Sequence, residues 1–91
     1  MPRRVRRRIR GKFEHNCFKP CGMPGHSLER VYLSKDEMEA VRLSDYKGLY
    51  HEDAAKEMGI SRPTFSRILA NAREKIALAL IEGKTLEIEN L

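Results

Sequence analysis

The sequence predicts a mainly α-helical domain: a tri-helical unit with a long third helix, a basic N-terminal arm, and short extended segments flanking the helices. Three observations predict it. Ser34 followed by Glu37 forms a capping box, in which each side chain satisfies the other residue's free backbone N–H. Gly59-Ile-Ser61 ends one helix and caps the next within three residues. From Arg62 to Glu82 the only breaker is Pro63, which a first helical turn tolerates, and Gly83 then stops the run.

Residues 1–12 are the arm. With 91 residues the chain fits one small domain, and its charge is unevenly placed. Arg3, Arg4, Arg6, Arg7, Arg8, Arg10 and Lys12 stand together with no acid among them, whereas residues 13–91 hold eleven bases against thirteen acids. The net charge of +5 therefore comes from the arm. Such a segment repels itself and is expected to stay disordered until it meets a polyanion. Nucleic acid fits best, because guanidinium groups fork onto phosphate and release its counterions. A solubilising tail and a signal for anionic lipid are the alternatives.

Residues 13–33 hold the loop and an extended segment. Pro20, Gly22, Pro24 and Gly25 exclude a regular helix. His15, Cys17, Cys21 and His26 lie within twelve residues, a set that can wrap a tetrahedral zinc or another transition ion. The Cys-x3-Cys spacing is not a standard finger pattern, however, and two reduced structural cysteines are the plainer reading. A Cys–His nucleophile is disfavoured, since nothing supplies an oxyanion hole or a pocket. Val31-Tyr-Leu33 reads as extended and can pair with Leu86-Glu-Ile88 in the C-terminal segment 83–91, although two strands alone would be marginal.

The helical domain is placed at 34–82. Leu33 and Met38 form a hydrophobic staple around the first cap, and that helix should stop near Asp45, ahead of Gly48. The second helix runs from about His51 to Met58, with Glu52 and Asp53 at the positive end of its dipole and Tyr50 as a weak cap. The third spans about Arg62 to Glu82.

The unit 51–70 has helix-turn-helix spacing. Ala55 supplies the small residue where two helices approach, and Gly59 accepts the positive φ of the turn. Ile60, Phe65 and Ile68 fall where wedges between the helices are needed. Burying Phe65, Ile68, Leu69 and Ala72 turns Arg62, Pro63, Ser66 and Arg67 outward, with Thr64 to one side. A basic face of small residues suits the major groove, so Arg62, Pro63, Thr64, Ser66 and Arg67 are the expected base readers. Arg73, Lys75, His51 at the start of the supporting helix, and the arm arginines are expected on phosphate. Tri-helical units of this kind also serve as protein-docking modules.

The segment resembles the fourth conserved region of sigma factors and the helix-turn-helices of response regulators. The whole chain resembles a family of short, uncharacterised prokaryotic proteins of DNA-binding type. The resemblance is carried by Phe18-Lys-Pro-Cys-Gly, Leu33-Ser-Lys-Asp-Glu-Met-Glu-Ala-Val-Arg-Leu43, Gly48-Leu-Tyr-His-Glu-Asp-Ala-Ala55, Met58-Gly-Ile-Ser-Arg-Pro-Thr-Phe-Ser-Arg-Ile-Leu69 and Gly83-Lys. It implies a tri-helical DNA-binding domain. Some members of that family are joined to small domains related to iron–molybdenum cofactor assembly, which implies metal or redox physiology.

The remaining expectations concern context. The longest fully apolar run, Ile76–Ile81, has six residues against the roughly 20 a membrane span needs. A cytoplasmic, non-membrane protein without enzymatic activity or small-molecule substrate is expected. That same run is apolar all round, which points to a homodimer, unless residues 13–33 fold over it. The function expected is sequence-specific binding of double-stranded DNA by a transcription regulator. The alternative is an interaction module docking on RNA polymerase or a metal-cluster assembly partner.

Overall fold

The starts of the first and third helices lie where their serine caps put them. The computed structural model describes residues 8–11, 16–22 and 29–89. The first helix, α1, spans Lys35–Val41; Ser34 Oγ accepts from Glu37 N at 3.3 Å, and Ser34 N donates to Glu37 Oε1 at 2.9 Å. α2 spans His51–Met58, and Tyr50 provides it with no side-chain cap. Gly59, at φ 70°, closes α2 in the left-handed conformation that a Cβ would strain. Ser61 then caps α3, Arg62–Glu82, by accepting from Thr64 N at 3.3 Å.

The first helical run stops beside Asp45, ahead of Gly48, as the sequence indicates, but its last turn is π-helical and not α-helical. After Val41 the chain widens into a π-helical turn, Arg42–Tyr46, with Lys47 N donating to Arg42 O at 2.8 Å. Leu43 stays in the core across this turn, while Asp45 meets Arg73 of α3. The core joins Ala40 and Leu43 to Ala54, Ala55 and Met58 of α2 and to Phe65, Ile68 and Leu69 of α3. Ala55 is buried, as a close helix approach requires, and Phe65 is fully enclosed.

A three-stranded sheet packs against α3. Its order is β1 (Cys17–Phe18), β3 (Thr85–Ile88), β2 (Arg30–Leu33), so the last strand lies in the middle. β2 and β3 pair as the sequence suggests, Val31 opposite Leu86 and Leu33 opposite Ile88, and they run parallel. All three helices lie between these strands in sequence, and the crossover they form permits the parallel direction. β1 adds an antiparallel partner, Phe18 opposite Leu86, which answers the marginality of a two-stranded pairing. Val31, Leu33 and Ile88 are buried. The domain is thus three helices plus a small sheet, with more strand than the sequence alone indicates.

Arg3, Arg4, Arg6, Arg7, Lys12, His15 and His26 lie outside the described residues. The expectation that residues 1–12 form one unanchored arm is corrected over 8–11, which are bonded to the helical core. Among the described residues, no helix is long and apolar enough to cross a membrane.

Candidate nucleic-acid interface

Burial of Phe65, Ile68, Leu69 and Ala72 fixes the rotation of α3 about its own axis. Arg62, Pro63, Arg67 and Ala70 consequently face solvent on its N-terminal half. Among the described residues neither the Arg62 nor the Arg67 side chain has a hydrogen bond or an ion pair. Thr64 and Ser66 are half-buried and locally engaged. Ser61 Oγ donates to Thr64 Oγ1 at 2.9 Å, and Ser66 Oγ lies 3.2 Å from His51 Nδ1. The His51 ring stands edge-on to Phe65, with centroids 5.4 Å apart. His51, expected at phosphate, therefore also fastens the start of α2 to α3.

The two basic groups further along α3 are each paired. Arg73 forks onto Asp45, Nη2 to Oδ1 at 2.5 Å and Nε to Oδ2 at 3.2 Å. The Arg73 hydrogen bonds hold the Asp45 carboxyl below its ordinary value against the opposing effect of burial, and the same bonds raise Arg73. Lys75 Nζ donates to Glu37 Oε1 at 2.9 Å, tying α3 to the capping box of α1. Arg73 and Lys75, both expected on phosphate, thus tie α3 to the π-helical turn and to α1 respectively.

The inner end of the arm docks beside the turn between α2 and α3. Arg8 N donates to Met58 O at 3.0 Å and Arg8 Nη2 to Lys56 O at 2.8 Å, so Arg8 caps carbonyls at the C-terminus of α2. Arg10 N and Gly11 N then donate to Glu39 Oε2 and Oε1 at 3.1 and 3.2 Å. Arg42 forks onto the same carboxylate, Nε to Oε1 at 2.8 Å and Nη2 to Oε2 at 2.7 Å. Glu39 is only 1% exposed, and each of its oxygens takes two donors. Burial alone would raise its pKa; the bonds from Arg42, Arg10 N and Gly11 N outweigh this and leave it lowered. Gly11 admits the close approach, since a Cβ there would lie 2.5 Å from Arg42 Nε.

Sequence reasoning misses Glu39, Arg42, Gly11 and Asp45. The available signals are slight: an i,i+3 Glu–Arg pair resembling any solvated helix face, and one glycine within a basic run. Cys17 and Cys21 are exposed free thiols. Among the described residues no group of three or more His, Cys, Asp or Glu side chains is arranged to hold a metal, and His15 and His26 lie outside that set.

Fold and face together define a small three-helix domain with a three-stranded sheet, exposed arginines on its last helix and a basic segment anchored beside the preceding turn. The chain belongs to the family described as protein of unknown function DUF134, which it matches over residues 1–90. It is 47% identical over 87 residues to a UPF0251 protein of Vibrio parahaemolyticus, covering 96% of this chain and 91% of that one. A UPF0251 protein of Halothermothrix orenii is 52% identical over 83 residues, covering 91% of this chain and 62% of its own length. One from Syntrophobacter fumaroxidans is 52% identical over 89 residues, covering 97% and 57%. The chain therefore spans most of the Vibrio relative but only about three-fifths of the other two. No solved structure matches it.

Proposed function

We propose that this chain binds double-stranded DNA in a sequence-specific manner and acts as a transcription regulator, with α3 as the reading helix of a helix-turn-helix. One observation carries the reading: Arg62 and Arg67, whose side chains have no partner among the described residues, stand on the outer face of a helix held against α2 through a three-residue turn. An α-helix with side chains is about 10–12 Å across, and the major groove is about 12 Å wide. Arginine in that groove forks onto the O6 and N7 acceptors of guanine. Pro63 is exposed at the same end, and Thr64 and Ser66 flank it, their hydroxyls short enough to let the helix approach. The resemblance to the fourth region of sigma factors supports the same reading.

A twofold partner suits this reading, because two copies of α3 would address a palindromic site. Leu80 and Ile81 support it, being 74% and 84% exposed near the end of α3. Gel shift against random duplex at two salt concentrations tests the core of the proposal, followed by selection of bound sites from a random pool. DNA binding that weakens with salt and yields an enriched motif is the expected result. A protein-docking module gives no retained duplex at either salt, and that outcome rejects the reading.

A further inference from the structure

We propose that Glu39, with Gly11 and Arg42, is a positioning site that anchors the basic arm, so that the arm occupies the minor groove directly flanking the major-groove segment read by α3. The inference rests on the DNA-binding reading above and extends it to a second contact, its location and the residues that set it. Residues 8–11 are held at two points. Arg8 bonds the last carbonyls of α2, and the backbone of Arg10 and Gly11 bonds the buried Glu39 carboxylate.

The anchor lies close in space to the start of the reading helix. The Arg8 guanidinium packs on Gly59, its Nε 3.2 Å from where a Cβ would stand. Gly59 precedes Arg62 by three residues, a span of at most about 11 Å. Seven residues precede Arg8, four of them arginine, and they reach at most about 25 Å. The neighbouring minor groove lies about half a helical turn, roughly 17 Å, from the major-groove segment a helix occupies. A tether fixed at Arg8 reaches that groove and little beyond. Were residues 8–11 released, the next described attachment is Asn16 O, which accepts from Ile88 N, so the fifteen residues before it would reach up to about 54 Å and contacts would spread along the duplex. The narrow minor groove concentrates negative potential and attracts arginine, which gives the arm a defined destination.

Hydroxyl-radical footprinting on a selected duplex tests this, using the full chain. Wild type is expected to protect one minor-groove flank next to the α3 segment, and replacing Arg3, Arg4, Arg6 and Arg7 by alanine removes that flank alone. Gly11→Ala and Glu39→Gln are expected to blur the flank while the α3 protection persists. Inserting three Gly/Ser residues between Arg7 and Arg8 leaves the anchor intact, so it guards against variants that fail to fold, and it widens the protected flank. An identical sharp flank in Gly11→Ala, in Glu39→Gln and in the insertion variant overturns the anchor. Wild-type protection confined to the α3 segment overturns it as well. Absence of any protection by wild type instead overturns the DNA-binding reading itself.

Discussion

Replacing Glu39 by glutamine probes a buried carboxylate that accepts four hydrogen bonds among the described residues. The substitution keeps shape and volume but turns one carboxylate oxygen into an NH2 donor. Oε1 receives Gly11 N and Arg42 Nε, and Oε2 receives Arg10 N and Arg42 Nη2. Whichever way the amide turns, its NH2 faces two N–H groups. Both lost bonds, one from a backbone N–H and one from the guanidinium, end on an ionised carboxylate and are charge-assisted, at about 1.5–3 kcal/mol each. Breaking a buried ion pair from one side costs about 3–5 kcal/mol. Arg42 keeps 23% of its side chain exposed and so regains some hydration, which favours a total of about 3 kcal/mol. Urea unfolding followed by circular dichroism measures this as a lower midpoint at unchanged slope. Gly11→Ala should add less in the Glu39→Gln background than in wild type, because both changes break the same junction. A loss below about 1 kcal/mol, or full additivity, would refute the argument that these four donors act as one clamp.

Acid should weaken the contact between the π-helical turn and α3. Asp45 is held below its ordinary value by Arg73, so its stabilising effect is complete above the normal carboxylate range and is lost as pH falls through the lowered value. Asp45→Asn should flatten the acid limb of a stability–pH curve and leave the neutral plateau only slightly lower, which thermal melts between pH 2 and 7 would measure. Ser34→Ala removes one half of the capping box and should cost about 1 kcal/mol in urea unfolding. Gly59→Ala places a Cβ at φ 70° against Arg8 and should cost about 1 kcal/mol or more by the same assay. Arg67→Ala should lose about 1–3 kcal/mol of discrimination at one base position in competition gel shifts, with little change in non-specific affinity.

Local chemistry is readable in the sequence, and long-range polar chemistry is not. Ser34, Ser61, Gly59 and Gly83 mark helix ends through forces acting within a few residues, and each stands where the corresponding boundary lies. The pairing of Val31–Leu33 with Leu86–Ile88 is visible as matched apolar alternation. β1 is not, because two residues beside prolines and glycines carry no period. The π-helical turn is equally hidden, since its sequence, Arg42-Leu-Ser-Asp-Tyr46, contains no breaker. At the candidate interface the apolar face of α3 dictates which residues point outward, so Arg62 and Arg67 stand out from the sequence alone. That Arg73 and Lys75 meet Asp45 and Glu37 depends on how α1 crosses α3, and composition holds no record of that angle. Glu39 resembles an ordinary surface acid because the segment that buries it is distant in sequence.

The central place of β3 has a consequence for synthesis on the ribosome. Neither flanking strand has a backbone partner until Thr85–Ile88 has been translated and has left the exit tunnel. The two helices around Gly59 need only near neighbours and can collapse earlier. A nascent chain stalled before residue 85 would therefore carry a formed helical pair beside two strands with open hydrogen-bonding edges, the state in which it is most prone to join a neighbouring nascent chain.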